Sequence, residues 1–237
     1  MNYLMAVLLL VIVLCWVYWA KKLTLYGTLT AGLVAVVIYA GTGLMGILLL
    51  GSFFLLGTLA TSWQKDKKVK AALAETHSSR RTAGQVWANG GVATILGMCA
   101  FTWPAQQQLF TIMMAGAFSA ATADTLSSEL GVLYGKRCYN IRTFRPDRRG
   151  LDGVVSLEGT LLGVVGSLLI GFLLLAGTGF SAKMLLVVML AGLAGNLADS
   201  WLGATLERGG VLGNNAVNFL NTTVGAVSAG AMWLGIA

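Results

Sequence analysis

Residues 3–22 read YLMAVLLLVIVLCWVYWAKK, an apolar run that stops at two lysines. Its length is close to the roughly 20 apolar residues that an α-helix needs to cross a bilayer. The rest of the chain has the same character, since 57% of its 237 residues are hydrophobic and only 11% are charged. Soluble domains carry about 25% charged residues. The composition therefore excludes a soluble globular enzyme, a disordered chain and a disulfide scaffold, and it predicts an all-α, polytopic transmembrane helix bundle.

Eight apolar segments follow one another along the chain, separated by short polar connections. We expect one integral membrane domain over residues 1–237, with helices near 3–20, 23–40, 43–62, 84–102, 108–135, 152–176, 182–206 and 214–236. Glycines one helical turn apart, such as Gly159 and Gly163, predict close packing between these helices.

The basic residues are distributed unevenly between the two sides of this predicted bundle. Fifteen of the 16 lysines and arginines fall in the connections after helices 1, 3, 5 and 7, which share one side, and Lys183 falls on the other. Basic residues concentrate on the cytoplasmic side of membrane proteins. We therefore expect both termini outside. No plastid-type transit segment precedes helix 1, so we expect a multi-pass protein of a prokaryotic plasma membrane.

Six of the nine acidic residues fall within the predicted helices, or at their ends, on the basic side of the bundle. They are Asp124, Glu129, Asp152, Glu158, Asp199 and Glu207. A charged side chain inside the bilayer costs about 2.5–3.5 kcal/mol on insertion scales, so such residues are functional candidates by default. The alternative for any one of them is a structural hydrogen bond to a neighbouring helix. That explanation weakens when several acids gather on one side of the membrane.

Amide and hydroxyl side chains accompany these acids. Ser128 follows Asp124 by four positions and shares its helix face. The amides are Asn89 in helix 4, Asn196 beside Asp199, and a stripe at Asn214, Asn215, Asn218 and Asn221 in helix 8. Because an amide stripe is unfavourable in lipid, we expect it to line a cavity that contains the acids. Carboxylate and amide oxygens are the ligands that Mg²⁺ prefers, so the pattern predicts a magnesium site.

Two connections with six lysines and arginines each contain candidate phosphate ligands. Arginine binds phosphate through two parallel hydrogen bonds. The alternative is that these residues fix the orientation of the protein and contact anionic lipid. Beside an acidic cavity, they favour a phosphorylated, membrane-resident substrate that is reached from the cytoplasm. The candidates are Arg80, Arg81, Arg142, Arg145, Arg148 and Arg149.

Familiar catalytic motifs are missing from the sequence. It contains no G-x-x-x-x-G-K-[ST], G-x-S-x-G or H-E-x-x-H motif, and its single histidine, His77, lies in a polar connection. A histidine base is therefore not expected. Phosphoryl transfer stays open, because it depends mainly on metal ions, cationic side chains and positioning.

Five blocks of sequence, in order within residues 20–237, resemble a known family. They are residues 85–91 (QVWANGG), 123–131 (ADTLSSELG), 153–160 (GVVSLEGT), 199–204 (DSWLGA) and 214–222 (NNAVNFLNT). On these blocks the chain is similar to the integral membrane proteins related to eukaryotic transmembrane protein nineteen and to the plastid phytyl-phosphate kinase. One departure is Gly150-Leu151-Asp152-Gly153-Val154, where the family often has Gly-Thr-Asp-Gly-Gly.

The resemblance implies a phosphotransferase, because some family members transfer a phosphoryl group from a nucleoside triphosphate to an isoprenyl monophosphate. It places Asp124, Glu129, Asp152, Glu158, Asp199, Asn215, Asn218 and Asn221 at the site. With the residue patterns above, we expect catalysis by Asp124, Glu129, Glu158 and Asp199, and Mg²⁺ bound by Asp124, Asp152, Glu158 and Asp199. Substrate contacts are expected from Asn89, Ser128, Asn215, Asn218, Asn221 and the six arginines.

The leading hypothesis is a membrane-embedded isoprenyl-phosphate kinase with a cytoplasm-facing, Mg²⁺-dependent acidic site. The donor nucleotide (CTP or another triphosphate), the prenyl chain length and a homodimer are left open. Membrane lipid is an expected partner and nucleic acid is not. The alternative is a transporter or flippase for an ion or a phosphorylated lipid, since buried acids and repeated helices also occur there. Alternating access needs polar groups in both halves of the membrane, whereas these acids lie in one half.

Overall fold

The computed structural model describes residues 3–72, 80–179 and 182–236, which fold into a helical bundle. The helices are α1 Tyr3–Trp19, α2 Leu25–Ser62, α3 Lys65–Ala72, α4 Ala83–Thr102, α5 Gln107–Tyr134, α6 Leu157–Thr178, α7 Ala182–Leu202 and α8 Asn214–Ile236. A 3₁₀ turn at Pro104–Gln106 precedes α5, and a π-helical turn at Gly203–Glu207 extends α7. Two antiparallel strands, β1 Cys138–Asn140 and β2 Val154–Ser156, connect α5 to α6.

Helix α2 is a hairpin of two arms. A straight helix of its 38 residues would be about 57 Å long, nearly twice the thickness of the hydrocarbon core. The chain reverses instead at Gly43, whose φ of 62° and ψ of −146° are not helical. The reversal brings the ends of α2 together, since Nζ of Lys22 donates a hydrogen bond to Oγ of Ser62 at 3.3 Å. The two arms correspond to the separate helices predicted near 23–40 and 43–62.

Four segments of the described residues are long and apolar enough to cross a membrane. They are Leu25–Ser62, Pro104–Tyr134, Leu157–Thr178 and Ala182–Glu207. Their outer faces expose large apolar side chains such as Leu29, Leu59 and Phe172, which lipid solvates and water does not. Together with α1, α4 and α8, these segments confirm the predicted all-α, multi-pass membrane bundle. The side of the membrane on which the termini lie stays a prediction.

Helix α5 lies at the centre of the bundle and packs against α2, α4, α6, α7 and α8. Nearly every side chain from Thr111 to Ala123 is buried. The packing is close because the residues are small: a Cβ on Gly116 would lie 2.5 Å from the backbone oxygen of Gly225 in α8. Small residues at helix contacts are the usual means by which membrane helices pack. The rigid middle of α5 therefore fixes the polar residues at its C-terminal end.

The segment before α6 differs from the helix predicted from residue 152. Residues 152–156 form a turn and β2 instead, and α6 begins at Leu157. The φ of Gly153 is 69°, outside the helical region, and Val154 pairs with Asn140 across the strands. Oγ of Ser156 then accepts a hydrogen bond from the Gly159 amide at 3.1 Å and caps α6. Strand pairing is a tertiary contact, which the local apolar pattern does not indicate.

Candidate functional site

A cavity of about 180 Å³ lies where α5, the end of α7 and the β1–β2 connection meet. The polar side chains in its lining are Asp124, Ser127, Ser128, Arg149, Asp152, Ser156, Asn196, Asp199, Ser200, Glu207 and Asn214. Four of these residues are acidic, and they come from three separate segments of the chain. We call this space the acidic cavity. It brings together three of the predicted acids, namely Asp124, Asp152 and Asp199.

The carboxyl groups of Asp124 in α5 and Asp199 in α7 are in hydrogen-bonding contact with each other. Nδ2 of Asn221 in α8 donates a hydrogen bond to Oδ2 of Asp199 at 3.3 Å, and the side chain of Asn221 is fully buried. Two carboxylates in contact repel each other unless they share a proton or a cation compensates their charge. The Asp124–Asp199 pair is therefore the point in the cavity that most favours a positively charged ligand.

Asp152 reaches the cavity because the turn before β2 lies directly on the end of α7. A Cβ on Gly153 would lie 2.3 Å from the backbone nitrogen of Ala204, and the φ of Gly153 is 69°. Likewise, a Cβ on Gly203 would lie 2.9 Å from the nitrogen of Gly153. Glycine is required at residue 153 both by its backbone conformation and by this approach. The contact holds Asp152 within electrostatic reach of Asp199.

Glu207 lines the cavity; the sequence patterns include it among the six candidate acids but assign it no catalytic or metal-binding role. In a regular α-helix, a residue eight positions after Asp199 lies about 80° away around the helix axis. Glu207 instead ends the π-helical turn Gly203–Glu207. A π turn contains more residues than an α turn, which rotates Glu207 back towards the face of Asp199. The side chain of Asn214 lies close to the Glu207 carboxylate and interacts favourably with its charged form.

Arg149 is the basic side chain that lines the acidic cavity. Its Nη1 donates a hydrogen bond to the backbone oxygen of Val132 at 3.1 Å, and its Nη2 donates to the backbone oxygen of Gly135. Both acceptors lie at the C-terminal end of α5, where the helix dipole favours a positive charge. A guanidinium has five N–H donors, so further donors remain for an anion. One predicted phosphate ligand is thus fixed beside the acids.

Asp147 holds the β1–β2 connection against the end of α7. Its Oδ2 accepts hydrogen bonds from Nη1 of Arg208 at 2.8 Å and from Nδ2 of Asn140 at 3.3 Å, and its Oδ1 accepts one from the Arg148 amide at 2.7 Å. The hydrogen bond from Arg208, followed by that from the Arg148 amide, lowers the pKa of Asp147 below its usual value. The predicted phosphate ligands of this connection other than Arg149 are exposed and lie outside the cavity lining; they are Arg142, Arg145 and Arg148.

Glu129 lies outside the lining of the acidic cavity, in an ion pair with α3. Nζ of Lys68 lies 2.7 Å from Oε2 of Glu129, and the two side chains are 10% and 28% exposed. The same lysine donates a hydrogen bond to the backbone oxygen of Ala60 near the end of α2. The predicted catalytic residue Glu129 therefore has a structural partner, and α3 is the element that supplies it.

Arg81 faces Glu129 from the segment just before α4. Its guanidinium carbon lies 5.5 Å and 5.6 Å from the ring centres of Phe53 and Phe54. Burial lowers the pKa of Arg81, and the negative charge of Glu129 opposes that shift. We call these charges the Lys68–Glu129–Arg81 network. Arg81 and its half-buried neighbour Arg80, both predicted to bind substrate, are not among the residues that line the acidic cavity.

Glu158 also lies beside the cavity without lining it. Its Oε2 accepts a hydrogen bond from the backbone amide of Lys136 at 3.2 Å. It occupies the first turn of α6, where a negative charge is favoured by the helix dipole. These contacts account for an acid at this position without a metal or a substrate.

The predicted asparagines have different surroundings. In α8, Asn214 lines the cavity, whereas Nδ2 of Asn218 donates to Oδ1 of Asn214 at 3.2 Å. Asn215 is exposed and lies against the start of α4. Nδ2 of Asn89 donates to a backbone oxygen of its own helix at 3.0 Å. Of the predicted amide stripe, Asn221 makes the direct contact with the carboxyl pair.

Among residues 3–72, 80–179 and 182–236, no group of three or more histidine, cysteine, aspartate or glutamate side chains is placed to hold a metal ion. The predicted set of Asp124, Asp152, Glu158 and Asp199 therefore does not converge on one point. The Asp124–Asp199 pair alone still fits Mg²⁺, which usually keeps several waters and binds one or two carboxylates plus the phosphate oxygens of a substrate.

Comparison with known proteins identifies the family. The family described as integral membrane protein DUF92 matches residues 8–226. A membrane protein of Methanocaldococcus jannaschii is 36% identical over 206 residues, which cover 85% of this chain and 82% of the relative. The chloroplastic protein VTE6 of Arabidopsis thaliana is 32% identical over 209 residues, which cover 86% of this chain and 63% of VTE6.

A further relative, protein PGR of Arabidopsis thaliana, is 30% identical over 250 residues, with 86% of each chain covered. No solved structure matches this chain. The matching segment includes all the residues that line the acidic cavity. The chain is a multi-pass membrane protein and belongs to the integral membrane protein DUF92 family.

Proposed function

We propose that the protein transfers a phosphoryl group from a nucleoside triphosphate to an isoprenyl monophosphate in the acidic cavity. The observation that carries the proposal is the contact between the carboxyl groups of Asp124 and Asp199, in a cavity that Arg149 also lines. The relationship to chloroplastic VTE6 and the resemblance to the plastid phytyl-phosphate kinase support this reaction class. A membrane bundle is also the natural site for an acceptor with a lipid tail.

The proposed reaction needs no strong base. The second pKa of a phosphate monoester is near 6, so the acceptor phosphate is largely dianionic at neutral pH. One of its oxygens attacks the γ-phosphorus, and a new P–O bond forms while the bond to the β–γ bridging oxygen breaks. The products are a prenyl diphosphate and a nucleoside diphosphate. The described residues that line the cavity include no histidine. A reaction without a strong base is compatible with that lining.

The carboxylates of the cavity would position the donor. Asp124 and Asp199 would hold Mg²⁺, which when bound neutralises the charge of the triphosphate. Asn221 fixes the orientation of Asp199 through its hydrogen bond. Asp152 and Glu207 add negative charge close to Asp199, which helps to retain a cation.

Arg149 would neutralise the acceptor phosphate. Its guanidinium is already oriented by two backbone oxygens of α5, so little conformational freedom is lost when a phosphate binds. The exposed arginines of the same connection attract anionic substrates electrostatically without defining the site. Glu129 and Glu158 take no part in this mechanism, because Lys68 and the Lys136 amide already account for their charges.

Label transfer tests the proposal. Purified full-length protein in detergent is incubated with Mg²⁺, γ-labelled ATP, CTP, GTP or UTP, and prenyl monophosphates of several chain lengths. We expect labelled prenyl diphosphate with at least one pair, and none with the Asp124→Asn variant. No label with any pair, from protein shown to be folded, would overturn the proposal.

A second measurement separates an enzyme from the transporter alternative. Single cysteines replace Ala115 in α5 and Val188 in α7, towards the ends of these helices that lie away from the acidic cavity, in protein without its native cysteines. A water-soluble thiol reagent is added from the side opposite the basic loops. If the protein is an enzyme with one opening, we expect both positions to stay unmodified. Modification from that side, together with absent label transfer, would support transport.

A further inference from the structure

We propose that the acidic cavity binds a divalent cation before any nucleotide arrives, and that Oδ1 of Asn196 is a ligand to that cation beside the carboxylates of Asp124 and Asp199. The proposal gives a role to an asparagine that the sequence patterns left without one. Cation binding itself does not depend on the proposed function. Only the role of the bound cation, which is to bind the triphosphate, rests on that function.

The first observation is a buried amide that lacks a partner. The side chain of Asn196 is only 3% exposed, yet it forms part of the cavity wall. The structure shows no hydrogen bond between this amide and the described part of the chain. Its atoms are also not among the fully enclosed polar atoms without a partner, which are Oγ of Ser167 and Oδ1 of Asn221. The Asn196 amide therefore opens onto the cavity, and its partner is expected there.

The second observation is the position of this amide beside the carboxyl pair. Asn196 precedes Asp199 by three positions in α7, so the two side chains share a helix face. A Cβ on Gly163 in α6 would lie 2.9 Å from Nδ2 of Asn196 and 3.0 Å from the backbone oxygen of Ala123, the residue before Asp124. Nδ2 is thus the atom that packs against α6, which leaves Oδ1 for a ligand.

The charges of the lining decide the class of ligand. Four carboxylates and one guanidinium line the cavity, and that guanidinium already binds backbone oxygens of α5. An anion beside Asn196 would be repelled by Asp124 and Asp199. A water molecule would satisfy the amide, but the two carboxyl groups would then have to share a proton to avoid repulsion. A divalent cation that takes oxygen ligands and keeps some of its waters satisfies both groups at once.

The test measures cation binding without nucleotide or acceptor. Mn²⁺ is titrated into purified full-length protein in detergent, and free Mn²⁺ is followed by electron paramagnetic resonance. We expect saturable binding to the wild type. Asn196→Leu should bind at least about tenfold more weakly, the scale of effect known for residues around metal sites. Asn196→Asp keeps an oxygen ligand of the same size and should bind as tightly as the wild type or more tightly.

The matched control is Ser167→Ala. Oγ of Ser167 in α6 is a buried polar atom without a hydrogen-bond partner, and it lies outside the cavity lining. Its removal should leave Mn²⁺ binding unchanged. Equal binding by the wild type and Asn196→Leu would overturn the role of Asn196, and so would equal weakening in Ser167→Ala. Label transfer by a wild type that binds no Mn²⁺ alone would overturn the resident cation and leave the proposed function standing.

Discussion

Two carboxylates of α5, Asp124 and Glu129, lie in opposite electrostatic surroundings. Glu129 contacts Nζ of Lys68 at 2.7 Å and interacts with the charge of Arg81. Asp124 contacts a second carboxyl group, that of Asp199, and faces a cavity in which acidic residues outnumber basic ones. Glu129 therefore has countercharges within the protein, whereas Asp124 has no ion-pair partner among the described residues.

The difference separates an acid that has structural partners from one whose charge is available to a ligand. Breaking a buried ion pair leaves an uncompensated charge, so the Lys68–Glu129–Arg81 network fastens α3 and the start of α4 to α5. The Asp124–Asp199 pair joins α5 to α7 only when its carboxyl groups share a proton or a positive group binds between them. The sequence indicates that both acids lie within the membrane. Their depth therefore does not distinguish Asp124 from Glu129.

The largest effect is expected from Asp199→Asn, which removes one carboxylate of the Asp124–Asp199 pair. Label transfer should fall by about two to three orders of magnitude, because the site loses a charge that balances the cation and phosphates. The free energy of unfolding should stay the same or rise, because the repulsion from Asp124 disappears. Initial rates and unfolding midpoints in detergent check both expectations. Loss of the fold together with the activity would show that the Asp124–Asp199 pair also stabilises the structure, which contradicts this expectation.

A smaller effect on activity is expected from Gly153→Ala. The added Cβ would lie 2.3 Å from the backbone nitrogen of Ala204, so the turn must move and carry Asp152 away from the cavity. A displacement on the scale of an ångström reduces rates by up to about a hundredfold, and we expect a loss of about tenfold or more. Gly213→Ala is the control, since a Cβ there meets nothing within 4 Å. Equal rates in the two variants would show that the contact does not position Asp152.

The Lys68–Glu129–Arg81 network should respond in stability. Lys68→Met leaves Glu129 without its closest countercharge and should lower the free energy of unfolding by about 1–3 kcal/mol. The double variant Lys68→Met/Glu129→Gln should lose less stability than the sum of the losses in Lys68→Met and Glu129→Gln, because it leaves no unpaired carboxylate. Chemical unfolding in detergent measures both. A double variant as unstable as the sum of the two single variants would mean that the two residues do not interact.

The smallest effect concerns the exposed ion pair of Asp147 and Arg208. The pKa of Asp147 is lower in the folded protein than its usual value near 3.9. Its interactions therefore stabilise the fold above that value and are lost as the pH falls through the lowered pKa. Arg208→Gln should be slightly less stable than the wild type at neutral pH, and the difference should shrink as the pH falls from the usual value of Asp147 through its lowered pKa. A difference that stays constant with pH would exclude this origin.

The sequence predicts the membrane bundle correctly, and it singles out Asp124 and Asp199 as site candidates because charged residues are rare and costly in apolar helices. It does not separate Glu129 from Asp124, since the partner Lys68 is supplied by a short polar helix that the apolar pattern does not indicate. Glu207 enters the cavity through a π turn, which breaks the periodicity on which helix faces are predicted. Asn196 stands out only when its burial and lack of a partner are known.

The most direct test of the central claim compares Asp124→Asn with Glu129→Gln in the label-transfer assay. Both substitutions remove one negative charge from α5, with nearly the same change in shape. With rates corrected for the amount of folded protein, we expect Glu129→Gln to retain most of the transfer to prenyl monophosphate and Asp124→Asn to lose nearly all of it. Transfer that survives in Asp124→Asn and disappears in Glu129→Gln would contradict the account and move the chemistry to the Lys68–Glu129–Arg81 network.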